Sequence, residues 1–383
     1  MVKVYRPVLV QLALIVFFVG LTFGFMRELQ NEYPSDNFII SPFLLAEGLS
    51  LLYLGAHGES ANELKSVIPK FLANKETDID AYLSEDRGAL KSSEEGILRF
   101  GNRLYVTNDM DILIKYEKKI KKVFNTNVNR VDFSDPKSVN VINRWVAQIT
   151  NNKITKLIDK FNGNEKIILA SAIHFNGLWQ FPFDETLTEK APFYVPKEGE
   201  TTKVVKVDMM NRVSFFLRKF VKELDADAIS LPYANSNITM VVLLPRTMDG
   251  IGKLLDHLSE VNINDILRTS ELNRLHLHLP KFQFEFKITL NDILKSIGLS
   301  NIFNEANLKL MTDFKSQLKV AEIVQKSVIT VDERGTKAAA AQEISAALRG
   351  FLEHLEFNHP FVFYIIDEER IYFVGQVRNP LLK

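Results

Sequence analysis

The chain has 383 residues and a formal net charge of zero, 47 basic side chains against 47 acidic ones, so it lacks the charge excess of a general nucleic-acid-binding surface. It holds no cysteine, which excludes disulfides, thiolate metal sites and thiol nucleophiles. Hydrophobic residues make up 46% and phenylalanines number 28, enough for a large, aromatic-rich core.

Lys3 and Arg6 precede an apolar run from Val8 to Phe25, broken by Gln11. A basic lead before such a run is similar to a secretory signal peptide, here assigned to residues 1–24 and implying secretion; a membrane anchor and a buried first helix are the competing readings. Ser41 then caps a helix with Pro42 in its first turn, Leu45, Leu49 and Leu52 on one face, and Gly55 at its end. Ser60 and Glu63 are spaced as a capping box for the next helix. Arg103 to Tyr105 reads as a strand, and Ile114 to Val123 as a helix bearing Lys115, Lys118, Lys119, Lys121 and Lys122. Those lysines form a solvated face, or a weak site for a polyanion such as a sulfated polysaccharide.

From Ile167 to Trp179 the chain is apolar and strand-like, and Asp208 to Met210, Leu231 to Tyr233 and Met240 to Pro245 mark further strands. Asn237 opens a glycosylation sequon, Asn-Ile-Thr, which matters in a secreted chain. Leu275, Leu277 and Leu279 alternate with Arg274, His276 and His278, and Phe282, Phe284 and Phe286 continue the period of two. The pattern predicts long antiparallel strands with one buried face. His276 and His278 share a strand face, but no third histidine or carboxylate nearby in sequence completes a metal site, so none is expected. Leu290, Ile293, Leu294 and Ile297 predict an amphipathic helix closed by Gly298. Two closing strands surround Phe361 and Phe373. Helices first and strands later, without repeats or a Pro/Gly/Ser linker, predict a single α+β domain over residues 25–383.

The stretch from Val331 to Gly350 has two readings. Its alanines, with Ile344, Leu348, Phe351, Leu352 and Leu355 at helical spacing, favour a helix capped by Thr336. A segment this small on both faces can also enter a sheet as an extra strand, with Thr336, Ala338, Ala340 and Gln342 on one side. Neither a P-loop nor GxGxxG, GxSxG or HExxH occurs, so no cofactor or catalytic centre is selected.

The run Glu333, Arg334, Gly335, Thr336, Lys337, Ala338, Ala339, Ala340, Ala341, Gln342 resembles the hinge of the serpin family, whose usual pattern is Glu-Glu-Gly-Thr-Glu followed by four alanines. Asn37, Ser41, Pro42, Leu54 and Gly55 also sit where that family has them. So do Ile142, Asn143, Trp145, Thr150, Lys153 and Ile154, in a helix lying across its main sheet. The likeness runs from about Phe25 to Lys383. It implies a large mixed central sheet, further sheets, surrounding helices and a reactive-centre loop. It further implies a scissile bond between Arg349 and Gly350 and a hinge at Gly335, whose lack of a side chain gives backbone freedom. Trp179, Lys281 and Glu333 would meet where insertion begins, and Ser41, Ser171 and Gln325 would meet at the sheet's central opening. The implied activity is covalent trapping of trypsin-like serine proteases by a monomer. The implied alternative is a non-inhibitory member that is only cleaved, or that binds or stores. Departures from the family are Arg334, Lys337, Gln342, Ser171, Gln325 and Asn152, where the family has Glu, Glu, Thr, Asn, His and Gly.

Overall fold

The computed structural model describes residues 19–72, 78–84, 98–196, 199, 201–258, 261–314, 317–335 and 352–382. In chain order these form α1 (Val19–Glu32), β1 (Phe38–Ile40), α2 (Pro42–Gly55), α3 (Glu59–Val67), α4 (Ile79–Ser84), β2 (Leu98–Thr107), α5 (Ile114–Phe124), β3 (Val128–Val131) and α6 (Val139–Ile149). There follow β4 (Ile167–Phe175), β5 (Glu189–Val195), β6 (Lys203–Val221), β7 (Ala226–Pro232), β8 (Thr239–Pro245), α7 (Ile251–His257), α8 (Ile263–Thr269), β9 (Glu271–Pro280) and β10 (Phe282–Thr289). The C-terminal part holds α9 (Asn291–Ser296), α10 (Asn301–Asn304), β11 (Val320–Val331), β12 (Glu353–Glu356), β13 (Phe361–Ile366) and β14 (Ile371–Val377).

The architecture is α+β. One sheet has five strands in the order β10-β11-β4-β2-β3 and is mixed: β11 runs parallel to β4 and β2 parallel to β3, while β10–β11 and β4–β2 are antiparallel. The other has nine strands, β1-β14-β13-β8-β7-β6-β9-β12 with β5 beside β6, and only the β12–β9 pair is parallel. Every residue of β4 is buried, because the strand is covered on both faces. Ile167, Leu169, Ile173 and Phe175 enter the main core on the α2 side. Ile168, Ala170 and Ala172 lie with Ile142, Trp145 and Val146 of α6 in a second cluster. A strand sandwiched this way reads as a continuous apolar run rather than an alternating one.

Helix α2 begins as its sequence predicts. Ser41 Oγ accepts from the Leu44 amide at 3.1 Å and Pro42 occupies the first turn, satisfying one amide and sparing another. Nearly all of the helix is buried, as a helix apolar all round must be.

One expectation is corrected. Ser60 and Glu63 do not form a capping box, because α3 starts after Gly58 with no side-chain cap. Instead Glu63 Oε2 accepts the amides of Ser300 and Asn301 at 2.8 and 2.7 Å, so the carboxylate serves α10, far away in sequence. As expected, β9 and β10 are long strands antiparallel to their neighbours β6 and β11, each with one buried face; Pro280 and Lys281 carry the chain from the nine-stranded sheet to the five-stranded one. Helix α1 starts at Val19, and its Phe25, Met26 and Leu29 are buried.

Candidate functional site

The candidate site lies along the seam between β4 and β11, which pair in parallel from Ile167 and Val320 to Phe175 and Ile329. Beyond these strands the two chains remain in contact. The Trp179 amide donates to Arg334 O at 3.0 Å and the Phe183 amide to Glu333 O at 3.1 Å. Trp179 Nε1 donates to Asp332 O at 2.7 Å, and its ring stacks on Tyr233 at 4.5 Å and 12°. Lys281, on the turn out of β9, reaches Glu333 at 2.8 Å, and Thr188 Oγ1 donates to the other carboxylate oxygen at 2.7 Å. The structure therefore brings Trp179, Lys281 and Glu333 together, and adds Thr188, Asp332 and Tyr233, which no sequence pattern had singled out.

Glu333 is 3% exposed, and an isolated carboxylate there would be costly. Burial pushes its carboxyl up, but the hydrogen bonds from Lys281 and Thr188 outweigh that and hold it below the ordinary value. The same contact raises Lys281, against a smaller opposing effect of burial. Both charges are retained at neutral pH, so the top of the seam is closed by an ion pair beside a stacked aromatic pair.

Gly335 is the last described residue of the hinge. A Cβ on it would lie 2.6 Å from the Trp179 carbonyl oxygen and 2.7 Å from Pro182 Cβ. Among the described residues it is not one of the glycines with positive φ. In this conformation the position requires glycine for space, because β11's extension pairs beside the Trp179 backbone at contact distance. Arg334 points outward to Asp332, at 2.7 Å, and to Asn176 Oδ1, at 2.9 Å. Thr336, Lys337, Ala338 to Ala341, Gln342, Arg349 and Gly350 lie outside the described residues.

Halfway down the seam, Ser171 and Gln325 are Cα partners across β4 and β11, but their side chains turn to different helix contacts. The Gln325 carboxamide pairs with the Ser41 backbone, its Oε1 accepting from Ser41 N at 2.7 Å and its Nε2 donating to Ser41 O at 3.1 Å. Ser171 Oγ donates to Asn102 Oδ1 at 2.5 Å, and Asn102 Nδ2 donates to Leu44 O at 2.9 Å. At this level, among the described residues, no side-chain hydrogen bond joins Gln325 to Ser171; the side-chain bonds that bridge the seam lie at its top, from Trp179 to Asp332 and from Arg334 to Asn176. Asn102 was missed in the sequence. The signal was there: along β2, Phe100, Asn102, Leu104 and Val106 share one face, and a lone amide on such a face needs a partner.

Helix α6 covers the other face. Arg103 lies 4.9 Å from the Trp145 ring centroid, and Asn143 clamps the returning chain by accepting the Leu157 and Ile158 amides at 2.8 and 3.0 Å. Asn152, the departure from glycine, sits at φ +60°, a left-handed conformation that asparagine tolerates better than most residues. On α5, Lys115, Lys118, Lys119, Lys121 and Lys122 are all exposed. Asn237 is also exposed, in the turn between β7 and β8. Among the described residues, no helix is long and apolar enough to cross a membrane.

The structure supplies the third histidine that the neighbouring sequence lacks. β12 lies alongside β9 with His354 opposite His276, so a third histidine does complete the group of His276, His278 and His354. The partner came from a strand 76 residues away from His278, which local sequence context does not reveal.

Residues 19–380 match the sequence model of the family described as Serpin (serine protease inhibitor). The chain is similar to Serine protease inhibitor 42Dd of Drosophila melanogaster, with 32% identity over 358 residues, covering 92% of this chain and 94% of that one. It is likewise similar to Serpin B11 of Mus musculus, 32% identical over 377 residues, covering 92% and 96%. Among solved structures, native protease nexin-1 with heparin superposes with a TM-score of 0.82 at 26% identity, covering 95% of this chain and 98% of that one.

Proposed function

Because the chain belongs to the serpin family, whose members include proteins named as serine protease inhibitors rather than enzymes, we propose that it traps arginine-specific serine proteases covalently. The single observation that carries this reading is the course of β11. It delivers the chain, at Gly335, to the top of its own parallel seam with β4.

A segment folding back from that point would run antiparallel to both neighbours, replacing one slanted parallel ladder with two antiparallel ones. With about ten residues inserted, about ten hydrogen bonds are gained net, and at roughly 0.5 to 1.5 kcal/mol each the movement is strongly downhill. The split between the Gln325–Ser41 and Ser171–Asn102 contacts supports the same reading, since parting the strands there leaves each half satisfied.

The chemistry starts at Arg349. The protease's serine oxygen attacks the Arg349 carbonyl carbon, and the bond to the Gly350 nitrogen breaks, with that nitrogen leaving as a protonated amine. The product is an ester linking the protease to Arg349. A guanidinium satisfies the acidic specificity pocket of a trypsin-like enzyme with charge-assisted hydrogen bonds. Insertion of residues 336–349 then drags the ester away before water resolves it. The proposal includes secretion with loss of the N-terminal leader, glycosylation at the exposed Asn237 and weak polyanion binding along α5. The chain similar in fold to protease nexin-1 with heparin presents Lys115, Lys118, Lys119 and Lys122 on one stripe of that helix.

Incubation with trypsin tests the central claim. A complex that survives SDS in the wild type and disappears in Arg349→Ala supports trapping. A clean cut after Arg349 without complex would replace it with the substrate reading.

A further inference from the structure

The group formed by His276, His278 and His354 lies outside the seam and has no part in the trapping reaction. Its ligand atoms all lie within 4.8 Å of one another, and His278 Nε2 stands 3.3 Å from His354 Nδ1. Tetrahedral zinc at about 2.0–2.1 Å from imidazole nitrogens spaces its donors about 3.3 Å apart, so one edge of the tetrahedron is already in place. We propose that these three histidines bind a divalent transition-metal ion of the zinc class, with the fourth position left open for water or an outside donor.

Two features of the surroundings fit a cation. Glu356 and Glu189 contribute negative potential to the His276 and His278 rings. Asn211, across the ladder from His278, is 6% exposed, and its Oδ1 has no hydrogen-bond partner.

The ion would join two strands. β12 is a four-residue edge strand, held otherwise by its parallel ladder to β9 and by the ion pair between Arg218 and Glu353 at 2.6 Å. A metal on His276 and His278 from one strand and His354 from the other staples the chain that resumes after residue 351 to the nine-stranded sheet.

The test is calorimetric titration of zinc chloride into the full chain without a polyhistidine tag, compared with His278→Ala, His354→Ala and, as control, His57→Ala. The expected result is one zinc per chain, weakened by more than about tenfold in the first two variants and unchanged in the third. Hydrogen exchange at residues 353–356 should slow on zinc addition in the wild type and not in His354→Ala, whose exposed side chain can be lost without disturbing the fold. Absence of zinc binding, or binding indifferent to both cluster variants, overturns the proposal.

Discussion

Replacing Lys281 by alanine isolates the closure at the top of the seam. The substitution removes a partner 2.8 Å from a carboxylate whose side chain is 4% exposed, leaving Thr188 Oγ1 at 2.7 Å. Breaking a buried pair by deleting one member costs about 3–5 kcal/mol. Two facts reduce that figure here: the Lys281 side chain is 39% exposed, so water already screens the pair, and Thr188 still donates. The expected loss is about 1–3 kcal/mol at pH 7.5.

The pH dependence follows from both partners. Glu333 titrates below its ordinary value, so its contribution is present above about pH 4.5 and fades as the pH falls through the folded value. Lys281 titrates above its ordinary value, so its contribution is present up to about pH 10.5 and fades as the pH rises through the folded value. Urea unfolding of wild type and Lys281→Ala should therefore differ most between these limits and less at pH 4.0. In a Glu333→Gln background the lysine deletion should cost little. Lys190→Ala, which breaks an exposed pair with Asp208, should cost less than about 0.5 kcal/mol. A Lys281→Ala loss no larger than that of Lys190→Ala, or one unchanged at pH 4.0, would refute the reasoning.

Gly335→Val places a branched side chain where even a Cβ meets the Trp179 carbonyl oxygen at 2.6 Å; it should destabilise by about 1–3 kcal/mol in urea and lower the yield of trypsin complex. Gln325→Ala leaves the buried Ser41 amide N–H without its partner, while Ser41 O keeps the Leu45 amide, and should cost about 1–3 kcal/mol. Because no side-chain bond links it to Ser171, the double variant with Ser171→Ala should be additive within about 0.5 kcal/mol although the two residues are strand neighbours. Replacing Lys115, Lys118, Lys119 and Lys122 together by alanine should lower the salt needed to elute the protein from heparin resin; unchanged elution would dispose of polyanion binding on α5.

What the sequence made legible was local or came through resemblance. Helix α2 is specified by a cap, a proline and an apolar run that are neighbours in the chain, so its start and its Ser41 contact follow from the residues alone. β4 is specified by an unbroken apolar run. Trp179, Lys281 and Glu333 are spread over more than 150 residues, and no periodicity relates them; only the resemblance brought them into one group. Where the pattern misled, a distant partner had won. Glu63 has the spacing of a capping residue but is used by Ser300 and Asn301. His276 and His278 look incomplete until a short parallel strand brings His354 beside them. Gly335 has a further, spatial reason to be glycine in the backbone of Trp179, whose approach no local rule foretells.

If, as proposed, the bond after Arg349 is cut and the segment inserts, chain length couples cleavage to insertion. β12 and the end of β11 lie at the same end of the molecule, since Glu356 pairs with His278 and Lys281, three residues on, holds Glu333. Sixteen residues, 336–351, connect them. Each inserted residue advances about 3.3 Å down the seam, and the remainder must climb back at no more than about 3.5 Å per residue. An uncut segment can therefore enter only about eight residues deep before it pulls β12 from β9. Cutting after Arg349 frees fourteen residues, 336–349, with no return journey, enough to run the full length of the β4–β11 ladder. A metal on the three histidines would strengthen β12's hold and leave the severed segment unaffected. The cut form should thus gain heat resistance in a thermal melt while the uncut form does not, and equal melting of the two would show that the seam never admits the strand.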